Sequence, residues 1–164
     1  VGALIFYRKP AMVPLISGGI QEYGLRAGTH NVAGIIGFKL AVEYLEKNLT
    51  IIDNALKKRF EFLYDNISTI KNVIINTPFT NTISNTLNIS IKGWTRDELL
   101  VKLDNLGFCI STGTACLSGT SRVSHVLESM QLEEEIKIGA VRISFSHFTT
   151  FKDLKLLVEA IKSL

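Results

Sequence analysis

The sequence predicts an α+β fold, a small and mostly antiparallel sheet covered by helices. Three observations carry that expectation. The chain is 46% hydrophobic and 20% charged, which is enough apolar material for a core and too little charge for disorder. From residue 51 the apolar spacing runs helix, strand, strand, helix, strand, loop, helix, strand, helix, a mixed order that suits a small sheet with helical cover. Before that, the glycine-rich stretch SGGIQEYGLRAGTHN at 17–31 reads as a long irregular loop, so residues 1–50 form the end of another domain and 51–164 the small domain.

Each element follows from its pattern. GALIFYR at 2–8 is branched and aromatic, a short strand over Gly2–Tyr7, and Pro10 and Pro14 interrupt regular structure after it. Ile35, Ile36, Phe38, Leu40, Tyr44 and Leu45 place a helix over 32–47. A second helix, capped by Thr50, is expected over 51–67 from the stripe Ile52, Leu56, Phe60, Leu63. Val73–Asn76 is a short strand, and TLNISIK at 86–92 alternates Leu87, Ile89 and Ile91 with Asn88 and Ser90, a half-buried strand. Thr95 with Glu98 makes a capping box for a helix to about Asn105, which Gly107 ends. Phe108–Ser111 is a strand leading to the loop that holds Cys116. Ser124 is placed to cap a helix over 125–130, Ala140–Phe145 is a strand, and Thr150 opens the last helix.

Composition excludes several functions. The net charge of +3 is scattered, and Lys57, Lys58 and Arg59 are a solvated helix face rather than a nucleic-acid patch. No apolar run approaches the ~18 residues of a membrane span, and no targeting segment is visible. Cys109 and Cys116 form no CxxC, and His30, His125 and His147 lack ligand spacing, so neither a disulfide framework nor a metal site is expected, and the compartment is cytoplasmic. Cys109, between Phe108 and Ile110, is expected to be inert core. Cys116, in STGTACLSGT, is surrounded by small and hydroxylated residues, which leaves open a working thiol or a plain turn. Arg142, among apolar residues in AVRISFS, is expected to be buried, and is either half of a structural ion pair or a clamp on a substrate carboxylate. The glycines of 17–31 could also form a nest for an anion.

The motifs taken together are more specific. GG-x-QE-x-G-x-R-A-GT-x-N (18–31), TLNIS (86–90), S-x-GTAC-x-S (111–118), SHVL (124–127) and VRISFS-x-FTT (141–150) occur in that order. The chain resembles the carboxy-terminal part of the cysteine desulfurases, pyridoxal-phosphate enzymes of the class V aminotransferase family. The resemblance implies the small carboxy-terminal domain of a fold-type I pyridoxal-phosphate enzyme, preceded by the tail of its large α/β domain. It implies that Cys116 is the active-site cysteine, which takes sulfur from L-cysteine as a persulfide and leaves L-alanine. It implies that Arg142 grips the substrate carboxylate and that Thr29 reaches the cofactor phosphate of the neighbouring subunit in a homodimer. A sulfur-acceptor scaffold protein, serving iron–sulfur cluster assembly or RNA thiolation, is the implied partner, without direct nucleic-acid or membrane contact. His125 lies in the SHVL motif and is assigned to packing.

The resemblance also has departures. The family's cofactor lysine and ring-stacking histidine precede the segment matching Gly2–Tyr7, so this chain is expected to be a truncated portion, inactive alone. His147 stands where related sequences commonly have arginine. Two other readings stay open: a persulfide carrier or scaffold-binding domain without its own cofactor, and a selenocysteine lyase-like relative.

Overall fold

The computed structural model describes residues 1–8, 11–112 and 124–164. Pro10 and the Cys116 segment lie outside the described residues. Two compact units divide the chain, Val1–Leu49 and Thr50–Leu164.

In the first unit, residues 1–8 are exposed and form no strand. The expected strand Gly2–Tyr7 is corrected: a strand persists only where its N–H and C=O groups meet a ladder partner, and the described sheet offers none to this segment. The loop at 17–31 contains one 3₁₀ turn, Glu22–Gly24. Its glycine N–H groups do not converge on open space. Gly24 N–H donates to the carbonyls of Ile20 and Gln21, each at 3.0 Å, and Gly28 N–H to Gln21 Oε1 at 3.3 Å. The nest reading is corrected at these positions.

One helix, α1 (Val32–Ser68), replaces the two expected. Asn48 does not end a helix, because its Nδ2 donates back to the Tyr44 carbonyl at 2.8 Å. Thr50 costs an α-helix only about 0.7 kcal/mol relative to alanine, too little to break it. Within α1, Ile52, Phe60, Leu63 and Ile67 are buried.

Among the described residues the second unit has three antiparallel strands in sequence order: β1 (Val73–Ile75), β2 (Thr86–Ile91) and, after three described helices, β3 (Ala140–Ser144). The intervening helices are α2 (Arg96–Asn105), α3 (His125–Ser129) and α4 (Glu134–Ile138), and α5 (Phe151–Lys162) closes the chain. Register pairs Leu87 with Ile143 and Ile89 with both Val141 and Ile75. These residues line the core face of the sheet, packed with Phe60, Leu63 and Ile67 of α1 and with Leu154, Leu157, Val158 and Ile161 of α5. The α5 residues recur at helical spacing, which is why a soluble helix buries them together.

Between α4 and β3, Gly139 approaches the end of β2. A Cβ there would meet the Ile91 carbonyl oxygen at 2.5 Å and that of Trp94 at 2.9 Å. Helix α2 ends in a Schellman motif, with Phe108 N–H on the Leu103 carbonyl at 2.9 Å and Gly107, at φ +85°, N–H on that of Asp104 at 2.8 Å. Phe108–Ser111 is not a strand, since Ser111 alone bridges to Arg142. Alternation still holds there: Phe108 and Ile110 pack on the core, while Cys109 is exposed, against the expectation of an inert core thiol.

Two capping boxes begin α2 and α5, Thr95 with Glu98 and Thr150 with Asp153. The Thr95 backbone N–H, and then its hydroxyl, hold the Glu98 carboxyl below its usual range. For Asp153 the Thr150 hydroxyl comes first and its backbone N–H second. A carboxyl with a depressed native pKa binds fewer protons folded than unfolded. Its stabilisation is therefore complete above the ordinary carboxyl pKa of about 4 and is lost as pH falls through the depressed native value. Thermal melting of a Thr95→Ala/Thr150→Ala variant checks this. It melts below wild type near neutrality, and the gap narrows as pH drops below about 4.

Candidate functional site

The second face of the sheet is polar where the first is apolar. Asn88 of β2 stands opposite Arg142 of β3, and Arg142 in turn bridges Ser111. Just past β1, Asn76 N–H donates to the Asn88 carbonyl at 2.9 Å. A row of four polar residues, Asn76, Asn88, Arg142 and Ser111, therefore crosses the strands. Partners in such a row share one face of a sheet. Side-chain bonds tie the row laterally. Asn76 Nδ2 donates to Asn88 Oδ1 and to Ser90 Oγ, both at 2.7 Å, and Arg142 Nη2 donates to Ser111 Oγ at 3.3 Å.

A cleft of about 270 Å³ opens over this face. Arg142, Asn88 and Asn76 line it on the sheet side, and Val126, Leu127 and Met130 of the α3 region form an apolar wall. Arg142 is exposed, not buried: β3 alternates, with Val141 and Ile143 inward and Arg142 and Ser144 outward. The guanidinium thus needs no internal ion pair, and among the described residues none is formed with it.

Cys116 lies outside the described residues, but the residues that bound its segment do not. Thr112 on one side and Ser124 on the other both line the same cleft as Arg142. Cys116 is four residues from Thr112, a chain reach of at most about 14 Å. Thr29 belongs to the first unit and is exposed there. Its carbonyl accepts from Arg26 Nη1 at 3.4 Å, and the same nitrogen reaches the Gly28 carbonyl at 3.0 Å. The Thr29 hydroxyl bonds no described residue.

Sequence reasoning missed Asn76, Asn88 and Ser111 as members of this site. The signal was present in TLNIS, whose alternation sets Asn88 on the face away from Leu87 and Ile89. The neighbour that makes it informative, Arg142, lies far along the chain and is supplied only by the β2–β3 pairing.

The model for the family described as aminotransferase class-V matches residues 8–157. The chain belongs to that family. Among similar curated proteins are cysteine desulfurase 2 of Trichormus variabilis, 40% identical over 92% of this chain, and the cysteine desulfurase IscS of Dictyoglomus turgidum, 35% identical over 100%. The chain covers 38% and 42% of those two relatives, so it spans about two-fifths of their length. A solved NifS-like protein from Rickettsia africae superposes with a TM-score of 0.81 at 33% identity, over 92% of this chain and 39% of that one. The α+β class read from the sequence agrees with this neighbour. Among the described residues no helix is long and apolar enough to cross a membrane.

Members of this family imply pyridoxal phosphate, and the donor set here fits part of its surroundings. An exposed guanidinium beside neutral amide and hydroxyl groups suits a carboxylate on a cofactor-bound amino acid. In the first unit, taken by itself, the Thr29 hydroxyl bonds no described residue and is a donor of the kind a phosphate oxygen accepts from. No residue of this chain is assigned as the lysine that holds the cofactor.

Proposed function

We propose that the protein is a cysteine desulfurase, and that these residues supply its substrate clamp, its sulfur-carrying thiol and one phosphate contact. The observation that carries this reading is one cleft lined by Arg142 and by both ends of the Cys116 segment. In this reading, residues 51–164 are the small domain and residues 1–50 belong to the large cofactor domain. Exposed apolar side chains in that first stretch support it, since Ile5, Tyr7 and Leu15 are each more than nine-tenths exposed and need cover from further protein or a second subunit.

Arg142 holds the carboxylate of L-cysteine and leaves the substrate thiol to react with Cys116. Pyridoxal phosphate, when bound, supplies the electron sink that weakens bonds around the substrate's α-carbon. Thr29 donates its hydroxyl to the phosphate of the cofactor bound by the neighbouring subunit of a homodimer. The Cys116 thiolate attacks the substrate sulfur. A sulfur–sulfur bond forms, the carbon–sulfur bond breaks, and its electron pair stays on carbon, which takes up a proton. The net change is one enzyme thiol plus L-cysteine giving one enzyme persulfide plus L-alanine. A sulfur-acceptor protein then removes the outer sulfur.

Arg142→Ala in the full-length gene product is expected to raise the KM for L-cysteine by about ten- to a hundred-fold, the effect of losing hydrogen bonds to a charged group. Arg142→Lys recovers only part of it, because an ammonium lacks the planar fork. Steady-state alanine release measures both. A KM equal to wild type in Arg142→Ala removes the clamp from this reading.

A further inference from the structure

We propose that Asn88 is a second substrate-positioning residue, its Nδ2 donating to the substrate carboxylate held by Arg142. The inference rests on the reading of Arg142 as the carboxylate clamp and adds a residue that the motif alone does not single out.

Opposed residues on antiparallel strands carry Cβ atoms about 4.5–5.5 Å apart. Asn88 and Arg142 are opposed in this way, and both line the cleft. The two polar atoms of the Asn88 side chain are not equivalent there. Oδ1 accepts from Asn76 Nδ2 at 2.7 Å, and Asn76 Nδ2 is also engaged with Ser90 Oγ at 2.7 Å. In this arrangement Asn88 turns Oδ1 to Asn76, whose own Oδ1 is left buried without a partner. Nδ2, the remaining donor, bonds no described residue.

A carboxylate has two oxygens and about four acceptor positions, more than one guanidinium edge fills. Arg142 spends one Nη2 donor on Ser111 Oγ, on the side of the row away from Asn88. In the proposed arrangement a carboxylate on its remaining donors turns one oxygen to Asn88, the opposed residue on β2. An amide adds a hydrogen bond without adding charge, so Arg142 and Asn88 together match a single negative charge. That suits an α-amino acid with one carboxylate.

The test uses the full-length, cofactor-loaded protein. Asn88→Ala raises the KM for L-cysteine by about ten-fold with little change in kcat, and weakens equilibrium binding of L-alanine by the same factor. Asn88→Asp, nearly isosteric, weakens both further, because its charge repels the substrate carboxylate and competes for Arg142. Inhibition by cysteamine, which has no carboxylate, is unchanged in either variant. Equal losses toward L-alanine and cysteamine mean a merely structural role and overturn the inference. If Asn88→Ala binds L-alanine as wild type does while Arg142→Ala fails to, the inference falls and the reading of Arg142 stands. If both variants bind as wild type does, both fall.

Discussion

Cys116→Ser in the full-length protein is expected to abolish L-cysteine-dependent alanine and sulfide release, a fall on the order of 10³-fold or more. The two side chains are close in size, so packing is little disturbed. The chemistry differs. A thiolate is accessible near neutral pH and attacks sulfur to form a persulfide, whereas a serine hydroxyl stays protonated and makes no sulfur–sulfur bond. Cys109→Ser is the control. Cys109 is exposed and on a segment whose neighbours pack on the core, so its loss leaves turnover within about two-fold of wild type. Turnover by Cys116→Ser near the wild-type rate would remove the thiol from the reaction.

The largest effect on stability is expected at the central strand. Ile89 is fully buried and lies opposite Val141 on one side and Ile75 on the other. Ile89→Ala removes buried methyl groups from a site that two strands hold open, at a cost of about 2–5 kcal/mol. With a urea slope of about 1–3 kcal/mol/M, the midpoint falls by roughly 1–3 M. The chain has one tryptophan, Trp94, packed against the same core, so its fluorescence follows the second unit. Leu156→Ala is the contrast: that side chain is 52% exposed on α5, and its loss should stay within about 0.5 kcal/mol. Equal midpoints for Ile89→Ala and wild type would contradict a core centred on β2.

Most local signals in the chain agree with the structure because their physics is local. The capping box at Thr95, the helix start at Thr150, the glycine stop at Gly107 and the α5 stripe depend on residues within one or two turns and are present, whereas Ser124 precedes α3 without a side-chain cap bond. Features that depend on distant partners were not legible. The segment Gly2–Tyr7 has strand composition but no ladder among the described residues. Thr50 looked like a helix cap and lies inside α1 instead. Helix α4, EEIKI, is too short for its periodicity to register. Arg142 looked buried because its neighbours are apolar, yet alternation along β3 turns it to the cleft. The candidate site follows the same division. Family motifs singled out Arg142, Thr29 and Cys116, while the Asn76–Asn88 pair became visible only when strand pairing brought it beside Arg142.

The central claim is that sulfur passes from L-cysteine to Cys116. Incubating the full-length, cofactor-loaded protein with L-cysteine, trapping thiols by alkylation and weighing the peptides tests it directly. The account predicts one added sulfur on the peptide bearing Cys116 and none on the peptide bearing Cys109. Added sulfur on Cys109 instead, or on neither, would contradict it.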